Sequence, residues 1–101
     1  MAAPDVMFVE HRLGGAEFRV LTPELAEYFE ADSGLLVLRV IPYTPAHQLG
    51  LRGGDVVIEV GGHESPDMLM FRDLASNAGA NGFEVKWIRK GSTHSGRMAG
   101  H

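Results

Sequence analysis

The residues able to do covalent or metal chemistry in this 101-residue chain do not assemble into any pattern that such chemistry needs. His11, His47, His63, His94 and His101 form no H-x-x-x-H or H-E-x-x-H pair, the spacings that aim two imidazoles at one ion from a single helix face. Cysteine is absent, which removes thiolate metal sites, disulfides and a thiol nucleophile together. Asp32-Ser33-Gly34 has the outline of a serine-nucleophile segment but lacks the glycines that build an oxyanion hole, and a helix-ending turn accounts for it. No G-x-S-x-G occurs, and Ser92-Thr93-His94-Ser95 reads as a polar turn entering an edge strand. Gly79-Ala80-Asn81-Gly82 lacks the lysine and hydroxyl residue that complete a phosphate loop. The sequence therefore predicts no catalytic residue, no metal site, no cofactor and no enzymatic activity of its own.

Composition bounds the partners. Hydrophobic residues make up 45% and charged residues 22%, the profile of one ordinary globular domain. A formal charge of −4 argues against nucleic acid, because phosphate binding needs a basic face. Glu10, Glu17, Glu24, Glu27, Glu30 and Asp32 crowd the first third, while Lys86, Arg89, Lys90 and Arg97 stand near the end; both groups read as solvated surface. No apolar run approaches the roughly 18 residues of a membrane span, so no direct membrane insertion is expected. The first five residues carry no signal-peptide pattern, which leaves a cytoplasmic protein or one domain of a longer chain.

The elements follow from punctuation and period. Residues 1–11 form a lead-in with a short edge strand at 6–9, and residues 99–101 a tail, around a domain spanning 12–98. Residues 16–20 alternate, with Ala16, Phe18 and Val20 on one face and Glu17 and Arg19 on the other. Thr22-Pro23-Glu24 opens a helix with an apolar stripe of Leu25, Ala26, Tyr28 and Phe29. The run 35–41 is almost continuously apolar, as in a central strand covered on both sides. A helical turn over 46–49 ends at Gly50, and a strand follows over 55–60 with Val56, Ile58 and Val60 inward. A helix over 67–78 carries Met68, Phe71, Leu74, Ala75 and Ala78 at helical spacing, and strands at 83–89 and 93–98 close the chain. Trp87 is expected to pack within the sheet. The absence of βαβ alternation implies an α+β fold with a mostly antiparallel, partly open barrel of five to six strands flanked by two helices.

The run Gly50-Leu51-Arg52-Gly53-Gly54-Asp55-Val56-Val57-Ile58-Glu59-Val60-Gly61-Gly62 resembles the G-L-x-x-G-D-x-I-x-x-x-x-G signature of PDZ domains. Upstream, Val40-Ile41-Pro42-Tyr43-Thr44-Pro45-Ala46 is similar to the V-x-P-x-S-P-A segment that precedes it, with threonine for serine. The stretch 21–29 resembles the helix opening of the circularly permuted PDZ domains in bacterial HtrA-type serine proteases. The resemblance covers roughly 12–98. Within the signature, Asp55 is expected to accept hydrogen bonds from amides of the Gly53-Gly54 turn.

The resemblance implies a peptide-binding module that captures a partner's C-terminus by β-strand addition. The matching carboxylate loop is Arg12-Leu13-Gly14-Gly15, whose inward amides would form an anion nest. The strand Ala16, Glu17, Phe18 would then lend a free edge, and the helix 67–78 would form the other wall with Met68, Phe71, Arg72 and Ala75. Arg12 and Arg72 are placed to pair with an acidic ligand group. The family loop reads bulky–Gly–bulky, whereas here the second bulky position is Gly15. Either a one-residue bulge brings Ala16 and Phe18 into the pocket lining, or the pocket is unusually open. Met68 stands where domains selecting Ser or Thr place histidine, so an apolar residue is expected there. Space at Gly15 favours partners ending in Leu, Ile or Phe over Val or Ala. The alternative is self-association: a structural domain whose groove holds its own tail (98–101) or a neighbouring subunit. Family resemblance favours an extracytoplasmic location.

Overall fold

The central strand shows how the sheet is covered. The structure, a computed structural model, describes residues 11–99 apart from Glu30, Asp32 and Ser65, with the side chains of His11 and Ala80 also outside the description. The strand expected at 6–9 and the last two residues of the expected tail lie outside the described residues. In β3 (Leu35–Val40), Leu35 and Val37 join one core cluster while Leu36 joins another on the opposite face. That is why the run is apolar at consecutive positions rather than alternate ones.

Around β3 the chain builds β1 (His11–Leu13), β2 (Ala16–Val20), β4 (Val56–Val60), β5 (His63–Glu64), β6 (Phe83–Arg89) and β7 (Ser92–Met98). The strands pair in the order β1-β2-β3-β4-β6-β7, with β5 branching from β4, and the described pairings are antiparallel. Among the described residues three helices flank this sheet: α1 (Pro23–Tyr28), α2 (Pro45–Leu49) and α3 (Met68–Ala78), with a 3-10 turn at Gly79–Asn81. This is the α+β, partly open antiparallel architecture, with a third helix where the helical turn before Gly50 was expected.

Each helix begins as its sequence dictates. Thr22, Thr44 and Asp67 take extended backbone and accept the first free amides, from Leu25 at 3.3 Å, His47 at 3.3 Å and Met70 at 2.8 Å. Proline at the first position of α1 and α2 costs nothing, since that N–H has no partner in a helix anyway. Helix α3 buries Met68, Phe71 and Ala75 against the sheet, and Phe71 packs edge-on to Phe83 with ring centroids 5.8 Å apart. Truncating a fully buried ring such as Phe71 to alanine would cost about 3–5 kcal/mol. Trp87 is buried within the sheet and stacks on His94.

Two strands depart from simple alternation. The β4–β6 register shifts between Val57 and Glu59, leaving Ile58 as an extra residue. This bulge changes the phase, so Val57 and Val60 are fully buried in one cluster while Ile58 is half-buried against the other. In β2, Val20 lies beyond the part of the strand that is covered and is 56% exposed, not inward as its alternation suggests.

Asp55 holds the signature turn by a route that local sequence does not show. Its carboxylate accepts the Arg52 amide at 2.8 Å, whereas the Gly54 amide donates to the Val37 carbonyl instead. The same carboxylate takes a two-pronged ion pair from Arg89, Nε to Oδ1 at 2.8 Å and Nη2 to Oδ2 at 2.7 Å. Arg89 also donates to the Gly50 carbonyl at 2.7 Å, so one side chain ties β6 to both ends of the turn. The hydrogen bond to Asp55 raises the Arg89 pKa above its ordinary value, so the guanidinium is charged at any pH the fold meets.

Candidate functional site

The candidate loop is a tight reversal. Gly14 and Gly15 have φ of 59° and 90°, consecutive left-handed values that glycine adopts freely and that match a two-residue hairpin turn. The flanking strands pair accordingly, Leu13 with Ala16, Arg12 with Glu17 and His11 with Phe18. The expected loop is thus the turn of a β1–β2 hairpin.

The turn is fixed from below. The Gly14 carbonyl accepts the Ala46 amide at 2.9 Å, and the Gly15 carbonyl accepts the Ile41 amide at 2.8 Å. A side chain at Gly14 would run into the end of Met98, and one at Gly15 into the side chain of Thr44. Thr44 is itself anchored, donating to the Ile41 carbonyl at 2.7 Å while capping α2. The space expected at Gly15 is therefore filled by Thr44, and the reason for preferring the largest terminal side chains goes with it.

Beside the turn, the apolar candidates come together. Leu13, Ala16, Phe18, Met68, Phe71 and Ala75 are all buried in one cluster. Phe18 of β2 meets Phe71 of α3 with ring centroids 5.2 Å apart and planes at 60°. The strand and helix expected to wall a groove are in contact through their side chains.

The charged candidates lie outside this cluster. Glu17 is bracketed by Arg39 at 2.9 Å and Arg12 at 3.4 Å, so both arginines sit beside β2. Arg72 is exposed on α3 and makes no ion pair among the described residues.

One expectation is corrected here. The β2 edge is not free at Ala16 to Phe18. The bond from Ile41 to Gly15, followed by the pairs Ala16–Val40 and Glu17–Arg39, turns the backbone groups of Glu17 toward β3 and those of Ala16 and Phe18 toward the other edge. That other edge is where β1 pairs. Two adjacent glycines were the available signal for this hairpin. Thr44 and Met98, which pack under the turn, were also missed, because their nearness depends on long-range folding. Among the described residues no group of three His, Cys, Asp or Glu is placed to hold a metal ion, and no helix is long and apolar enough to cross a membrane.

These features define a PDZ-like domain: a glycine turn at the head of β2, a helix packed beside that strand, and a second glycine turn ending in a buried aspartate. Two solved structures share the architecture. The PDZ domain of HtrA3, bound to a phage-derived ligand FGRWV, matches with a TM-score of 0.75 at 23% identity over 90% of this chain and 86% of that one. The HtrA-type protease AlgW, solved with a decapeptide, matches with a TM-score of 0.68 at 26% identity over 90% of this chain and 30% of that one. The domain resembles the PDZ domains of HtrA-type proteases in particular. HhoB of Synechocystis sp., named as a serine protease, is 38% identical over 64 residues. Serine protease HTRA3 of Mus musculus is 28% identical over 83 residues. The chain spans 15% of the first relative's length and 18% of the second's. No protein-family model matches the chain. As a PDZ-like domain the chain is not itself an enzyme.

Proposed function

We propose that this domain captures the C-terminal residues of partner proteins as an added strand along β2, with α3 as the opposite wall. The observation that carries the reading is the Gly14–Gly15 turn with both φ positive, set at the head of β2 beside the Phe18–Phe71 contact. Adjacent glycine amides suit a terminal carboxylate, and the apolar side chains of Leu13, Phe18, Met68 and Phe71 suit an apolar last residue. Arg72, exposed on α3, is available to an acidic group further along the peptide. Peptides held by HtrA3 and AlgW support the class of ligand. The domain then serves as the substrate-recognition part of an HtrA-type protease or its scaffold, in an extracytoplasmic compartment.

Backbone pairing over a few residues gives micromolar affinity, about −7 to −8 kcal/mol. Titrating the domain with one apolar-ended peptide as its free acid and as its C-terminal amide tests the carboxylate. The acid is expected to bind at least tenfold more tightly. Equal affinities would refute carboxylate capture.

A further inference from the structure

We infer that β1 is a resident occupant of the β2 edge, so that a peptide must displace this domain's own strand to bind. The inference rests on the proposed capture along β2. Ala16 and Phe18 turn their backbone groups away from β3, and the pairs Leu13–Ala16 and His11–Phe18 show β1 meeting them. An antiparallel peptide with its end at the Gly14–Gly15 turn needs the same groups. Both cannot hold them at once.

The structure also shows why β1 can leave. Its described part, His11–Leu13, pairs with β2 at the end of the strand order, so among the described strands none beyond it must be unpicked first. Its anchor is Leu13, which is 6% exposed in the core next to the turn. Arg12 is exposed, and its contact with Glu17 is a 3.4 Å surface ion pair that Arg39 shares at 2.9 Å. Opening the edge at Ala16 and Phe18 therefore asks Leu13 and His11 to give up their pairing, while the turn's bonds to Ile41 and Ala46 and the Glu17–Arg39 pair stay in place. The hairpin acts as an internal competitor: apparent affinity falls by the fraction of molecules whose edge is open. The sequence before β2 thereby sets the threshold at which a peptide is accepted.

The test uses the full chain. His11→Pro removes the amide that faces Phe18 and disfavours the paired backbone, whereas His11→Ala leaves the backbone intact. His11→Pro is expected to bind an apolar-ended peptide about tenfold more tightly than the unaltered chain, with His11→Ala within twofold of it. A second readout does not depend on affinity. The close Arg12–Glu17 pair should give an Hα–Hα nuclear Overhauser contact in the free domain that disappears at peptide saturation. Equal affinity for His11→Pro and the unaltered chain, or a contact that persists in the saturated complex, overturns the inference while peptide capture stands. If none of the three chains binds peptide while the contact is seen in the free domain, the capture reading itself fails and the competitor role falls with it.

Discussion

Two glycine pairs reverse the chain in this domain, and they are held in opposite ways. Gly53-Gly54 is locked by charge: Asp55 is 1% exposed and gripped by both prongs of Arg89. Gly14-Gly15 is held by backbone bonds to Ile41 and Ala46 and by the bulk of Thr44 and Met98, with the Arg12–Glu17 surface ion pair above it. The first turn is built to be permanent. The second can keep its shape while the strand leading into it comes and goes. The proposed capture by strand addition calls for that division, a fixed amide turn beside an exchangeable edge.

The comparison breaks most visibly at Arg89. Arg89→Ala would strand a buried carboxylate and should cost about 3–5 kcal/mol, read as a lower urea midpoint. Asp55→Ala should cost less, about 2–3 kcal/mol, because the Arg89 side chain is 26% exposed and can rehydrate. The raised Arg89 pKa stabilises the fold wherever the arginine is charged in both states. That contribution is complete below the ordinary arginine value of the unfolded chain and is lost only as pH rises through the raised folded value. Equal costs for the two substitutions would show that burial does not decide which partner matters.

At the other turn, Gly15→Val meets Thr44 and a φ of 90°, and should lower stability by about 2–4 kcal/mol. Adding Thr44→Ala should restore part of that loss but not the part due to φ. A thermal melt of the single and double variants separates the two. If Gly15→Val melts normally, the turn is looser than the packing implies. The smallest effect belongs to Arg12→Ala, expected to change stability by less than about 0.5 kcal/mol and to vanish in high salt. A larger change would mean that β1 is held by more than backbone pairing.

Much of this was legible before any coordinates. Thr22-Pro23, Thr44-Pro45 and Asp67 mark the helix starts because a capping oxygen is a local requirement, met within three residues. The strand over 83–89 runs as its pattern says. What escaped was non-local or too short to carry a period. Arg89 lies 34 residues from Asp55, and nothing around either residue announces the pair. The two-residue β5 has no alternation to read, and the bulge at Ile58 alters which valines face inward without changing composition. The apolar candidates of β2 and α3 do converge, as the family resemblance implied, but which edge of β2 is covered depends on the register of its neighbours.

The chain has one tryptophan, and it carries its own reporter. Trp87 is 4% exposed, and its indole Nε1 is buried without a hydrogen-bond partner among the described residues. An indole kept from water and from hydrogen-bond acceptors emits at short wavelength, and its emission moves to the red when solvent reaches the ring. Trp87 sits on β6 two residues before Arg89, the strand that the Asp55 ion pair ties to the signature turn. Loss of that tie should therefore be visible as colour in the unmodified protein, with no dye attached.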